Sequence, residues 1–293
     1  MVEATRAISS TTGRLLSLAP LTVLELGPDE LVAAAAEAGF DAVGLRLVRA
    51  TTQEPLRPTI GLTPLVRDVR RRLDDSGLVL IDIEVLRLRP ETRIRDDFEQ
   101  ILETGAFLGA QQVLVTGNDP DHGRTAARFA ELAELSAQYG MTPNLEPMPW
   151  TEVRNLGEAA AIVARSGHHN VGLLVDAIHY DRALNTPAEL AALPREWIRY
   201  AQICDAVAQR PTTVEELVYQ GRNARLFPGQ GGIDLISMLR ALPADVPISV
   251  EAPVLWDAPA RVRARAAERS SRAVLEMLDL VDEQSRHERR RYA

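Results

Sequence analysis

Along this chain, short runs of aliphatic and β-branched residues alternate with longer stretches whose apolar positions recur at helical spacing, the signature of parallel α/β architecture. Residues 5–9, 42–48, 79–85, 112–116, 142–148, 171–176, 200–205 and 247–251 read as strands, eight in all. The segments between them read as helices. In 123–139, Phe129, Leu132, Ala133 and Ser136 share one face at i, i+3, i+4 and i+7, and Gly140 supplies a stop. In 28–38, Asp29 and Glu30 occupy the first turn, where negative charge suits the helix dipole, and Gly39 closes the helix. Each helix returns the chain for a right-handed crossover. A complete set of strand and helix pairs, with no linker, repeat or low-complexity stretch, predicts an α/β fold made of a single (β/α)8 TIM barrel over 1–293. The basic end of the chain, with Arg286, His287, Arg289, Arg290 and Arg291, reads as the solvated end of the last helix.

Composition supports one large core and narrows the partners. With 46% hydrophobic and 25% charged residues the chain has the apolar surface of a globular protein. A net charge of −8 and scattered basic residues argue against nucleic acid. Cys204 has no second cysteine to pair with, which suits a reducing cytoplasm. No early segment joins basic residues, an apolar stretch and a small-residue cleavage site, and no apolar run approaches a membrane span. The expectation is a soluble, cytoplasmic protein with a small-molecule partner and no nucleic acid or membrane. Oligomeric state is left open, a homo-oligomer included.

In a barrel of this kind the C-terminal ends of the strands converge on one mouth. The strand ends here carry Arg46, Glu84, Glu146, Asp176 with His179 after it, Gln202 with Asp205, and Glu251. Three carboxylates converging in a partly dry pocket repel one another, and a divalent cation is the usual remedy. Glu146, Asp176 and Glu251 are therefore the expected metal ligands, and the Gln202 amide oxygen on the intervening strand can supply a fourth. Mostly oxygen ligation favours one Mn or Mg ion over Zn, with Co as a further candidate. The plainer alternative is a polar barrel rim whose acids pair with nearby arginines. Arg46 and Glu84, on neighbouring strands, read equally as an ion pair or as substrate contacts. His168 and His169 fall in a turn on the opposite face, and His122 opens a helix, so surface roles are expected for all three. The stretch Arg225, Pro228, Gly229, Gln230, Gly231, Gly232 precedes a helix and reads either as an anion-binding turn or as a plain capped turn.

The combination Asn144-Leu145-Glu146-Pro147, Asp176-Ala177-Ile178-His179, Pro228-Gly229-Gln230-Gly231, Ile233-Asp234 and Val250-Glu251 resembles the xylose-isomerase-like TIM-barrel superfamily, the sugar phosphate isomerase/epimerase group. The resemblance implies a metal held by Glu, Asp, His and Glu on strands five to eight. Glu146, Asp176 and Glu251 match three of these places, with the two glutamates doubling as acid and base. It also implies substrate contacts at His179 and Glu152. Gln202 stands where many relatives have His. The chemistry implied is proton transfer next to a carbonyl of a sugar, sugar phosphate or related compound, giving an isomerase or epimerase. The same constellation would serve a dehydratase of an inosose-like or shikimate-like ring, and the Gln202 departure keeps a non-catalytic carbohydrate binder in view. A multi-zinc DNA repair enzyme on this barrel would need more histidines at the mouth than His122 and His179.

Overall fold

The computed structural model describes residues 13–291. Eight parallel strands close in chain order: β1 (Leu16–Leu18), β2 (Ala42–Arg46), β3 (Val79–Leu88), β4 (Gln112–Gly117), β5 (Thr142–Glu146), β6 (Gly172–Asp176), β7 (Ile198–Ile203) and β8 (Ile248–Val250). The helices around them are α1 (Pro28–Ala38), α2 (Pro64–Ser76), α3 (Ile94–Leu108), α4 (His122–Gln138), α5 (Leu156–Ser166), α6 (Ala177–Arg182), α7 (Pro187–Ala191), α8 (Val214–Asn223), α9 (Leu235–Ala241) and α10 (Ala260–Arg291). The expected (β/α)8 barrel is present, with short extra helices after β6 and β7.

Seven of the eight expected strands overlap the observed ones. The first is corrected: the 5–9 run lies outside the described residues, and β1 is Leu16–Leu18, paired with β2 and β8. This Leu-Ser-Leu triplet is shorter than a typical strand, yet it suffices because a parallel neighbour on each side supplies its ladder. Leu16 and Leu18 face the helices, while Ser17 faces the barrel interior opposite Ser249.

Local chemistry sets the helix ends. Pro28 starts α1, the Glu30 carboxylate accepts from the Gly27 N–H at 2.9 Å, and Gly39 closes the helix at φ +93°. Asp121 caps α4 by accepting from the Arg124 N–H at 3.0 Å. The last helix continues through Arg291, so the basic end of the chain is helical, with Arg286 and His287 exposed.

The apolar residues divide into two cores. The larger lies between the strands and the helices and includes Leu18, Val43, Phe129, Leu132 and Ile203; the smaller fills the barrel with Ala42, Ile81, Val85, Leu114, Leu174 and Tyr200. Polar side chains share that interior. Asp82 accepts from the Tyr200 hydroxyl at 3.1 Å, both fully enclosed. Gly44 on β2 leaves the room, since a Cβ there would stand 2.4 Å from Asp82 Oδ1.

The placement of β1 is testable. Leu18→Ala should lower stability by about 2–5 kcal/mol, the usual range for a fully buried leucine. Urea unfolding would read the change, and a loss below about 1 kcal/mol would contradict a core position for this strand.

Candidate active site

At the C-terminal end of the barrel a cavity of about 1030 Å3 is walled by Arg46, Arg87, Glu146, Trp150, His179 and Glu251, with residues of α8 on one side. The register explains the convergence. Asp176 is aligned with Gln202, Gln202 with Ser249, and Arg46 with Glu84, so strand-end side chains meet at neighbouring levels.

Asp176 ends β6 and caps α6: its Oδ1 accepts from the N–H groups of Ile178 at 2.9 Å and His179 at 3.3 Å. That cap fixes the turn carrying His179, whose Nε2 lies 3.7 Å from Glu146 Oε1. Ligand atoms of Glu146, Asp176 and His179 come within 4.8 Å of one another. The Trp150 ring packs edge-on against the imidazole, centroids 4.7 Å apart at 86°. Gly221 makes space for the indole, since a Cβ there would be 2.4 Å from it.

Arg225 is the fully buried cation of the site, and it lines the cavity. Its backbone is held by the N–H bond to Pro253 O at 3.0 Å, and Nε donates to Gly221 O at 2.7 Å. The guanidinium then spans two expected metal ligands, Nη1 bonding Asp176 Oδ2 at 2.7 Å and Nη2 reaching Glu251 Oε2 at 2.8 Å. Nη1 also donates to Glu251 O at 3.0 Å. The glycine turn itself is filled from within: Asp205 accepts from the N–H groups of Ala206, Ile233 and Gly229 at 2.8, 3.0 and 3.1 Å. The capped-turn reading is the one realised. Such N–H groups bind anions well, and here a side-chain carboxylate takes them.

Arg46 and Glu84 do pair, at 2.6 Å, and Glu54 lies 3.1 Å from the same guanidinium. Arg46 also lines the cavity, whereas the buried Glu84 does not. Glu152 sits in the loop after β5, its carbonyl 2.8 Å from His122 Nε2, and is not part of the cavity wall. On the opposite face His168 Nε2 lies 3.2 Å from Glu134. The sequence reading singled out neither Trp150, Arg87 nor the Asp82–Tyr200 pair. Trp150 follows Glu146 by four positions and Arg87 lies on the strand of Glu84, so proximity in sequence was the available signal.

The electrostatics follow from burial and from one arginine serving two acids. Burial, then repulsion from Glu251 and Asp176, holds the Glu146 carboxyl well above the ordinary range. Burial likewise raises Glu251 to about 7, although Arg225 opposes it. Burial would raise Asp176 too, but the Arg225 guanidinium outweighs it together with His179, and the carboxyl stays below its usual value. Burial pushes His179 down to about 4, so the imidazole is neutral at neutral pH.

Glu146, Asp176 and His179 are grouped closely enough to hold a divalent cation, and Glu251 is not part of that group. Arg225 offers one positive charge to Asp176 and Glu251, and Glu146 has no arginine partner. Gln202 is fully buried with neither its oxygen nor its nitrogen hydrogen-bonded. An unsatisfied buried polar atom costs about 1–3 kcal/mol, and an ion accepting the amide oxygen would remove part of that cost.

Residues 32–278 match the family described as Xylose isomerase-like TIM barrel. The chain belongs to that family. A curated relative, the 3-dehydroshikimate dehydratase of Pseudomonas aeruginosa, is 31% identical over 250 residues, 80% of this chain and 37% of the relative. The enzyme of the same name from Pseudomonas putida is 25% identical over 235 residues, 76% of this chain and 35% of the relative. The chain thus spans little more than a third of the length of these relatives. Among solved structures, an IOLI protein with a bound zinc atom aligns with TM-score 0.74 at 20% identity, covering 90% of this chain and 99% of that one. A protein of the same fold therefore carries a bound zinc atom. Among the described residues of this xylose-isomerase-like barrel, no helix is long and apolar enough to cross a membrane.

A metal ligand must shed its proton to bind. With Glu251 at about 7 in the metal-free protein, it is mostly protonated below that pH and mostly ionised above it. Mn binding at about pH 6 should therefore release more protons and be weaker than at about pH 8. Calorimetry in buffers of different ionisation enthalpy measures both, and equal proton release at the two pH values would contradict the assignment.

Proposed function

We propose that this chain is a divalent-metal-dependent dehydratase acting on a hydroxylated ring ketone of the 3-dehydroshikimate type. The observation that carries the reading is the site's composition: buried carboxylates and an unpartnered Gln202 amide beside a neutral His179, at the mouth of a barrel 31% identical to a 3-dehydroshikimate dehydratase. Glu146, Asp176, Gln202 and Glu251 would hold the ion, with His179 close enough to Glu146 and Asp176 to join them. Mn or Mg suits the oxygen-rich set, and Co remains a candidate through His179. Once bound, the ion would polarise the ketone and stabilise negative charge on its oxygen.

The side chains divide the proton work. Glu251, with a pKa close to neutrality, is suited to take the proton from the carbon beside the ketone. The bond from the next carbon to its hydroxyl then breaks, and the departing oxygen takes a proton and leaves as water. Glu146, on β5 and lining the same cavity, is the carboxyl placed to pass a proton to that oxygen. His179 has one N–H to offer a substrate oxygen, and Trp150 holds the ring in place. Arg225 orients Glu251 through two bonds, to its side chain and to its backbone carbonyl. Loss of water from such a ring leaves a dihydroxybenzoate after tautomerisation, so aromatisation draws the reaction forward.

The second reading is the isomerase or epimerase that the sequence resemblance implies. It is favoured by the placement of Glu146 and Glu251 on different walls of one cavity, where one could remove a proton and the other return it. Product mass separates the two, because only the dehydratase product is lighter by one water.

Glu251→Gln should retain the fold, since the amide oxygen can still accept from Arg225, while turnover falls about 10²- to 10⁴-fold. The assay is formation of the aromatic product from 3-dehydroshikimate with Mg or Mn present. Epimerised ketose without any loss of water from wild-type protein would replace the dehydratase reading by the second one. Wild-type turnover in the variant would remove Glu251 from the chemistry.

A further inference from the structure

Most charged groups around the cavity are accounted for. Arg46 pairs with Glu84 and Glu54, Arg225 with Asp176 and Glu251, and Glu25 with Arg263. Arg87 and Arg222 are the cations of this wall without an ion pair among the described residues; the acids Glu146 and Glu215 line it too, with no arginine bound to either. The two arginines line the cavity, Arg87 from the end of β3 and Arg222 from the last turn of α8. Arg87 donates Nη2 to Ala50 O at 3.0 Å, which steadies the planar group and leaves its other donors free. The two cations are close enough to feel each other: burial, then Arg89, Arg222 and Arg46, push the Arg87 guanidinium below its usual range, with Glu54 opposing. Arg222 also adds to the positive field at His179, so this cationic side of the cavity adjoins the imidazole. Arg87 is half-buried and Arg222 exposed, and two cations lining one cavity without ion pairs are suited to an anionic ligand.

We propose that Arg87 and Arg222 form an anion subsite of this cavity and that the substrate is a carboxylate-bearing ring rather than a neutral sugar or inosose. The proposal rests on the reading of this cavity as the substrate site, and it adds what that reading lacks, a reason for one ring over another. A guanidinium fork matches the planar carboxylate in two parallel bonds, and neither Arg87 nor Arg222 is tied to Asp176 or Glu251, which Arg225 holds. A phosphate is the less suited anion. The glycine turn after β7, where barrels of this class often hold phosphate, has its N–H groups taken by Asp205. Thr116, aligned with Arg87 on β4, also lines this side of the cavity, its hydroxyl donating to Asn118 Oδ1 at 2.7 Å.

The test compares 3,4-dihydroxybenzoate with its methyl ester on Mg-loaded protein by calorimetry. The two share the vicinal oxygens and differ in the carboxylate charge. Wild-type protein should bind the acid about tenfold to hundredfold more tightly, the range expected for charge-assisted bonds. Arg87→Gln should lose most of that preference while its affinity for the ester stays within about twofold, which also reports an intact fold. Arg222→Gln, at an exposed helix position, should lose a smaller part, and Arg87→Lys should restore some of it as a point charge without the fork. Equal affinity for acid and ester in wild type, or an undiminished preference in the double variant, would overturn the proposal. The outcome is separable from the dehydratase reading. Acid preference without dehydration supports the subsite and removes the dehydratase, whereas dehydration of a neutral ring with no acid preference removes the subsite alone.

Discussion

The site depends on one electrostatic constraint: Glu146, Asp176 and Glu251 are each buried at one end of a closed barrel, and a single arginine stands between two of them. Buried carboxylates without compensation either take up protons or draw in cations. Asp176 is satisfied by Arg225 and by two backbone N–H groups, and it stays ionised. Glu146 has only the neutral His179 beside it, and its carboxyl is accordingly held toward the protonated form. The remaining charge and the unpartnered Gln202 amide are what the proposed divalent ion would answer.

Much of the surrounding structure serves to hold that arrangement. The chain leaves β7, forms α8, and returns through Arg225 before the glycine turn, so a long excursion delivers one guanidinium to the strand ends. The turn is closed by Asp205, whose carboxylate gathers three N–H groups, and Gly231 allows this because a Cβ there would be 2.4 Å from Asp205 Oδ1. The same excursion sets Arg222 and Tyr219 along the cavity wall. Positioning of the charge and shaping of the pocket therefore come from one insertion on the barrel.

The barrel and its acids were legible in the sequence because a parallel strand declares itself by composition and a barrel strand end has only one place to point. Glu146, Asp176 and Glu251 needed no more than that rule. The first strand was misplaced because Leu16–Leu18 is three residues long and lies in an apolar run ending near Pro20, whereas 5–9 has better strand composition. The pairing of Arg225 was not legible for a different reason. Whether a loop arginine faces an incoming anion or turns inward to Asp176 depends on contacts from β6 and β8, distant in sequence. The Asp82–Tyr200 bond across the barrel interior is similarly invisible, since it joins positions 118 apart. Arg87 has alternating neighbours on β3 and reads as an ordinary rim residue until its lack of an acidic partner is seen.

Anomalous diffraction from Mn-loaded crystals tests the central claim most directly. The account predicts one strong peak at the barrel mouth, within about 2.0–2.3 Å of the Gln202 amide oxygen and of carboxylate oxygens from Glu146, Asp176 and Glu251, with Arg225 still bonded to the acids it now joins. A peak coordinated by Glu146, Asp176 and His179 with Gln202 out of reach, or no peak at the mouth at saturating Mn, would contradict it.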